Sequence, residues 1–289
     1  MRDLSFSTFI LSILLSFSSF AGTLTDSYLQ QLGDAFVQAI PSGWGVEQGG
    51  WQYADIEDCF LTKPTCFGNN PSSPYGSPSF GTDPNEMVPT FQLRNEQAVV
   101  IFLRTPPTSR YFGFTQYLYS RPEDSLPVFA SLSETMNQTD LKMLDSSGQK
   151  FDNYSVLIWS GNQTTIAQTL TVLAGMGIDS KNVNILELPS KIAKDQKSYQ
   201  IKWGQDSKSD VFNMLMRTAL PAVPQNLKDY IEEKPFYVLR LSPGNNIQPT
   251  YIQGSIYKSD ITDRKEDPQL QLALDSLVKD IKRNYIKSY

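Results

Sequence analysis

Histidine is absent from this chain of 289 residues, and cysteine occurs only twice. Histidine is the commonest general base at neutral pH, so its absence excludes the usual Ser-His-Asp and Cys-His catalytic arrangements. Histidine-ligated zinc, copper and non-haem iron are excluded as well, and two cysteines are too few for a thiolate metal site or an iron–sulfur cluster. The P-loop, dinucleotide-binding and G-x-S-x-G patterns are also missing, so the sequence indicates no cofactor.

Basic runs are missing too. The chain carries 25 Lys and Arg against 30 Asp and Glu, which gives a formal net charge of −5. An acidic chain without a basic patch is a poor binder of nucleic acid. The hydrophobic content of 40% and the aromatic content of 12% are those of a folded protein rather than a disordered one.

Long apolar runs are confined to the N-terminus, where residues 4–21 carry no charge. The apolar centre, residues 9–15, is too short to span a bilayer, which needs roughly 20 mainly apolar residues. Such a segment ending in a small-x-small site, here Ser19-Phe20-Ala21, is typical of a cleaved signal peptide. The sequence predicts cleavage before Gly22 and a soluble protein that is secreted or held in the secretory-pathway lumen. The alternative is an uncleaved signal anchor.

Three N-glycosylation sequons fall within a window of 28 residues, at Asn137, Asn153 and Asn162. Each has a non-proline middle residue, and each must be exposed to be used. Asn153 abuts an apolar strand, which disfavours its use. Together with the signal peptide, the three sequons predict a secreted glycoprotein.

The two cysteines, Cys59 and Cys66, are separated by six residues. In an oxidising compartment an even number of cysteines at close spacing predicts a disulfide bond. A loop this short is expected to stabilise the fold by only about 2–3 kcal/mol. A redox pair is the alternative, although redox pairs usually have the spacing C-x-x-C.

Composition divides the chain into a signal peptide (1–21), an N-terminal helix with an irregular segment (22–95) and a folded core (96–289). Apolar residues at helical spacing predict a helix over 25–40. From 43 to 89, Gly, Pro, Asn and Ser alternate with single aromatic residues. This composition predicts an irregular segment that is cross-linked by the disulfide and packs on the core.

The core pattern predicts an α+β fold. Residues 98–103 and 111–119 are apolar on both faces and predict two central strands that pair antiparallel. Two strand–helix–strand units follow, over 155–188 and 211–241, and a helix that begins at Asp267 closes the chain. We expect a mixed, largely antiparallel sheet with helices on one face, containing one or two ferredoxin-like β-α-β halves.

Arginines lie near the ends of three of these strands, each shortly before a proline, at Arg104, Arg217 and Arg240. If the strands are neighbours, the three guanidinium groups converge into a site for a carboxylate, phosphate or sulfate. The alternative is that each arginine pairs with a nearby acid at the edge of the sheet.

Alternation along the strand over 111–119 places Tyr111, Tyr117 and their odd-numbered neighbours on one side. A tyrosine-rich face of this kind can line a ligand groove. Trp44 and Trp51, from the irregular segment, would extend it into a surface for a carbohydrate or an apolar ligand. The alternative is that these aromatic residues only pack the segment onto the sheet.

Acidic residues cluster at Asp55, Glu57 and Asp58. Oxygen ligands suit Ca²⁺, which makes this cluster a candidate calcium site, although its spacing is not that of an EF-hand. A pair of carboxylates is also the acid–base machinery that glycoside hydrolysis requires. Solvated surface acids are the alternative interpretation.

Two functions are consistent with these patterns. The first is a secreted, non-catalytic binding protein whose partner is an extracellular ligand such as a carbohydrate or a small anion. The second is a carboxylate-dependent extracellular hydrolase, for example one that acts on glycans. The absence of histidine favours the binding protein.

The mass of the secreted chain tests the predicted processing. Protein secreted from a eukaryotic host and freed of glycans is expected to begin at Gly22 and to weigh two hydrogens less than its reduced form. Intact mass spectrometry before and after reduction measures both. Retention of residues 1–21 contradicts the signal peptide, and a mass that does not change on reduction contradicts the disulfide.

Overall fold

The computed structural model describes residues 24–54, 61, 73–81, 89–123, 128–194, 197–244, 247–248, 252, 272–273 and 275–279. A mixed sheet of ten strands and several helices make up this part of the chain, so the predicted α+β class is confirmed. The helices are α1 (Leu24–Ala39), α2 (Gln163–Gly175) and α3 (Pro224–Glu233), with a 3-10 turn at Ser180–Asn182. The strands are β1 (Gly45–Tyr53), β2 (Tyr75–Ser79), β3 (Ala98–Arg104), β4 (Ser109–Ser120), β5 (Ala130–Ser131), β6 (Met136–Asn137), β7 (Tyr154–Ser160), β8 (Val183–Glu187), β9 (Lys191–Lys194), β10 (Lys197–Gln200), β11 (Val211–Pro221) and β12 (Phe236–Ser242).

The large sheet curls into a half-barrel. Its strand order is β5-β4-β11-β2-β1-β12-β3-β7-β8, with β6 also paired to β4, and β9 and β10 form a separate two-stranded ribbon. The pair β7–β8 is parallel, and the other pairs of the large sheet are antiparallel. Even-numbered apolar residues of β4 and β11 meet odd-numbered ones of β3 and β7 in one buried cluster. This interior core lies between the two halves of the sheet.

The helices cover two different surfaces. Leu29 and Phe36 of α1, and Ile166 and Leu173 of α2, pack with the even-numbered residues of β3 in a second buried cluster outside the half-barrel. The spacing of seven within each pair puts both residues on one face of their helix. By contrast, α3 contributes to the interior core. The expectation that helices lie on one face of the sheet is therefore wrong.

The strand β3 is central, as predicted, and lies between β12 and β7 with apolar residues buried on both of its faces. Its predicted pairing with β4 is wrong, because β4 pairs with β11. Pro106 and Pro107 lie between β3 and β4. Neither has an N–H group to extend a hairpin ladder, and the chain crosses there from one half of the sheet to the other.

The stretch predicted to be irregular, residues 43–89, contains two strands from the middle of the sheet, β1 and β2. Its glycines were the misleading signal. A Cβ atom on Gly49 would lie 2.7 Å from the Ser79 carbonyl oxygen and 2.7 Å from the Phe80 ring. Glycine is thus placed in β1 because β2 approaches it closely, not because the chain turns.

The first predicted strand–helix–strand unit is confirmed as β7-α2-β8, with the two strands as parallel neighbours. In the second unit, α3 has the predicted bounds, but β11 and β12 are separated in the sheet by β2 and β1. The ferredoxin-like halves are therefore not confirmed. Residues 275–279 are helical within the predicted C-terminal helix, and Leu277 and Val278 are exposed. No helix among the described residues is both long and apolar enough to cross a membrane.

A single glutamine links the two halves of the sheet across the interior core. Gln116 of β4 is fully buried. Its Oε1 accepts a hydrogen bond from Trp159 Nε1 of β7 at 2.5 Å, and its Nε2 donates to the Glu187 carbonyl oxygen of β8 at 2.7 Å. The polar groups of three strands thus satisfy one another within the interior core.

Removing this link should destabilise the fold. Gln116→Leu is expected to lower the free energy of unfolding by about 2–4 kcal/mol, because a buried N–H and a carbonyl lose their partners. The matched control is Gln168→Leu, the same change at an exposed position of α2, which should shift stability by no more than about 0.5 kcal/mol. Denaturant unfolding measures both variants, and equal losses would contradict the role of Gln116.

Candidate functional site

A cavity of about 230 Å³ opens on the outer face of β2, β11 and β4, the face turned away from the interior core. Alternation creates this face, since the even-numbered residues of β4 and β11 are turned into the core. The floor is formed by Tyr111, Thr115 and Tyr117 of β4 and by Leu215 and Arg217 of β11. All five side chains are half-buried. We call this site the tyrosine cavity.

Three further residues form the walls of the tyrosine cavity. Tyr75 of β2 is the cross-strand partner of Arg217, while Phe129 and Thr135 come from the segment beside β4. Phe129 stacks on Tyr117, with ring centroids 4.7 Å apart and planes 16° apart. The walls therefore add two aromatic rings, those of Tyr75 and Phe129, and the hydroxyl group of Thr135.

Arg217 supplies the only formal charge among the lining residues. Its Nε is buried, and among the described residues it has no hydrogen-bond partner. The guanidinium carbon lies 5.7 Å from the centroid of the Tyr75 ring, which is within the range of a cation–π contact. The guanidinium is thus held against an aromatic ring with a hydrogen-bond donor unused.

The other half-buried arginines of the described part differ from Arg217. Five arginines there are half-buried, and four have a carboxylate partner. The ion pairs are Arg94 with Glu96, Arg104 with Asp152 and Glu233, Arg121 with Asp210, and Arg240 with Glu47. Arg217 is the fifth, and no described carboxylate pairs with it.

A glycine keeps space open beside the guanidinium. Gly113 of β4 is the cross-strand partner of Arg217. A Cβ atom at this position would lie 2.8 Å from Thr135 Cγ2 and 2.8 Å from Tyr111 Oη. Any larger residue would push these two lining side chains aside.

The tyrosine cavity is electrostatically positive. Burial raises the pKa of Tyr111 and Tyr117, and the nearby charge of Arg217 only partly opposes this shift. Both phenols are therefore neutral at pH 7. No Asp or Glu lines the cavity. Among the described lining residues, no negative charge therefore neutralises the guanidinium of Arg217.

The structure does not bring together the three arginines predicted to converge. Arg104 pairs with Asp152 and Glu233 near one end of β3, and Arg240 pairs with Glu47. The β3–β12 register separates Arg104 from Arg240 by five residues, or about 17 Å along the strands. The third arginine lines the tyrosine cavity, in the other half of the sheet.

The two predicted tryptophans lie away from the tyrosine cavity. Trp51 is 5% exposed and stacks on Phe236 in the interior core, with ring centroids 3.8 Å apart. Trp44 is half-buried and packs against the cluster that contains α1. Of the residues predicted to form an aromatic surface, Tyr111 and Tyr117 of β4 line the cavity, and the two tryptophans do not.

The candidate calcium ligands Asp55, Glu57 and Asp58 lie outside the described residues, as do Cys59 and Cys66. Within the described ranges, no group of three or more acidic, histidine or cysteine side chains is placed to hold a metal ion. The calcium and disulfide predictions therefore remain predictions.

Two of the three sequon asparagines are buried with their amide nitrogens engaged. Asn162 is fully buried as the N-cap of α2, and its Nδ2 donates to Asn95 Oδ1 at 3.1 Å. Asn153 is 7% exposed, and its Nδ2 donates to Asp145 Oδ1 at 2.9 Å. A glycan on either nitrogen would displace these hydrogen bonds and would have to leave the fold from a buried position.

Comparison of the chain with protein-family models, with curated proteins and with solved structures finds no match.

Sequence reasoning missed the three wall residues of the tyrosine cavity. Tyr75 falls in the stretch that was predicted to be irregular, and Thr135 follows no recognisable pattern. Phe129 has a positive φ of 47°, which is rare for a bulky residue and which sequence alone does not signal. Among the lining residues, the alternation along β4 indicated its tyrosines, and the position of Arg217 near a strand end indicated that arginine.

The burial of the sequons leads to a test of glycan occupancy. Asn137 is only half-buried, and its Oδ1 accepts hydrogen bonds from Thr139. In protein secreted from a eukaryotic host, we expect a glycan at Asn137 and none at Asn153 or Asn162. Glycopeptide mass spectrometry measures occupancy site by site. Substantial occupancy of Asn162 in folded, secreted protein would contradict its role as a buried helix cap.

Proposed function

We propose that this chain is a secreted, non-catalytic binding protein that holds a small extracellular ligand in the tyrosine cavity. One observation carries the proposal. Arg217 is the single half-buried arginine of the described part without a carboxylate partner, and it lies in a cavity lined by aromatic rings and hydroxyl groups. Small-molecule sites typically combine apolar and aromatic walls with a few polar groups in this way.

The predicted signal peptide and the sequon at Asn137 support the extracellular part of the proposal. The lining supports the non-catalytic part, because its residue types offer no general base that is active near pH 7. The tyrosines at the floor, whose pKa burial raises, stay protonated, and an arginine remains a cation. The site is built to hold a ligand rather than to move its protons.

The alternative, a carboxylate-dependent hydrolase, requires two carboxyl groups about 5–10 Å apart in a cleft. The tyrosine cavity contains no carboxylate. Asp152 and Glu233 come close to each other at Arg104, but both form an ion pair with that guanidinium. The described residues therefore favour the binding protein.

Native mass spectrometry of the secreted protein tests the binding function. The purified protein is incubated with the small-molecule fraction of its own culture medium and then desalted. We expect a non-covalent adduct whose mass stays the same on prolonged incubation. Tyr117→Ala should reduce its occupancy at least about tenfold, because the stacked ring pair of the cavity is lost.

The matched control is Tyr28→Ala, which removes a tyrosine from α1, a helix that packs against the other half of the sheet. This variant should keep the adduct. An adduct that persists in Tyr117→Ala, or that is lost equally from both variants, contradicts the site. Conversion of the adduct into a smaller product contradicts the non-catalytic function.

A further inference from the structure

We propose that the ligand of the tyrosine cavity is a single-ring compound carrying one carboxylate or sulfate group, which the guanidinium of Arg217 holds. This inference rests on the proposed function and specifies its ligand class. It follows from three properties of the cavity, namely its charge, its volume and the chemistry of its walls.

The charge requires an anion. Taking a guanidinium partly out of water costs free energy unless an opposite charge or hydrogen bonds compensate it. Each of the other four half-buried arginines in the described ranges has such compensation from a carboxylate. Arg217 has no such partner among the described residues. An unpartnered Nε does not set it apart, because the Nε atoms of Arg104 and Arg121 are also unpartnered. A carboxylate or sulfate matches the guanidinium in charge and in the planar spacing of its donors.

The volume suits a ligand of one ring. A cavity of about 150 Å³ is known to accommodate benzene. The tyrosine cavity, at about 230 Å³, leaves about 80 Å³ beyond that. This is enough for an anionic substituent and a hydroxyl or methyl group, whereas a second ring would extend out of the cavity into solvent.

The walls offer both ring faces and hydroxyl groups. Tyr75, Tyr117 and Leu215 present apolar surface to the body of a ligand, while Thr115 and Thr135 place their hydroxyl oxygens 2.6 Å apart at its edge. Flat aromatic acids and acidic sugars share the required chemistry, because both present a ring face and one anion. Titration with members of each class distinguishes aromatic acids from acidic sugars.

Two pairs of isosteric probes test the proposal on the full secreted protein. Benzoate and benzamide represent the aromatic source, and glucuronate and glucuronamide the carbohydrate source. Within each pair the shape is nearly the same, while the anionic carboxylate is replaced by a neutral amide. Titrations followed by ligand-observed NMR are expected to show at least one anion binding about tenfold or more tighter than its neutral partner, as a charged hydrogen-bond pair implies.

The decisive variant is Arg217→Gln, which removes the charge but keeps a polar side chain. It should erase the preference for the anion while changing the affinity for the neutral probe less than about threefold. The control is Arg110→Gln, which removes the same charge from an exposed position at the start of β4 that does not line the cavity, and it should keep the preference. Arg217→Gln should also melt no lower than the wild type, because it removes an uncompensated charge.

The outcomes separate this inference from the proposed function. Loss of the preference in Arg217→Gln but not in Arg110→Gln supports both. Neutral probes that bind as well as the anions, with Arg217→Gln unchanged, overturn the anionic class and leave the binding function standing. If none of the four probes binds but the native adduct is lost in Tyr117→Ala, the proposed ligand class is overturned and the binding function stands. If none of the four probes binds and no native adduct is observed, the ligand class and the binding function are both overturned.

Discussion

The fold depends on the closure of one sheet upon itself. Aromatic and aliphatic residues of β4 and β11 face those of β3 and β7, and the hydrogen bonds of Gln116 to Trp159 and to the Glu187 carbonyl join the halves. Because this closure fixes which side of β4 is buried, it also fixes which side is left outside. The strand therefore serves the core with its even-numbered residues and the tyrosine cavity with its odd-numbered ones.

Pairing with carboxylates distinguishes the other half-buried arginines of the described part from Arg217. Arginines at the margins of the core meet acids from neighbouring elements, as Arg104 and Arg240 do, and these pairs fix how strands and helices meet. Arg217 breaks the pattern in the place where open space, aromatic walls and a glycine without a Cβ coincide. This departure from what the other half-buried arginines of the described part do is a stronger reason to propose a function than the presence of an arginine alone.

Local patterns predicted much of this architecture. Alternation in β4 indicated the tyrosine face, and apolar spacing gave α1 and α3 to within about a residue or two, the usual precision of helix ends. Strand adjacency was not predictable, because it depends on contacts far apart in sequence. Local patterns therefore predict that β4 pairs with β3, whereas it pairs with β11, and they predict a convergence of three arginines that the sheet order does not allow. Gly49 suggested a turn where it in fact marks a close approach between strands, so β1 and β2 were missed and Tyr75 with them.

The lining of the tyrosine cavity determines how binding there would respond to acidity. Arginine, tyrosine, threonine, leucine and phenylalanine are not residue types that change charge between about pH 5 and pH 8. If the cavity holds the proposed ligand, protonation of its lining would not release that ligand within this range. The cavity differs in this respect from sites that contain a histidine, which gain a charge on mild acidification.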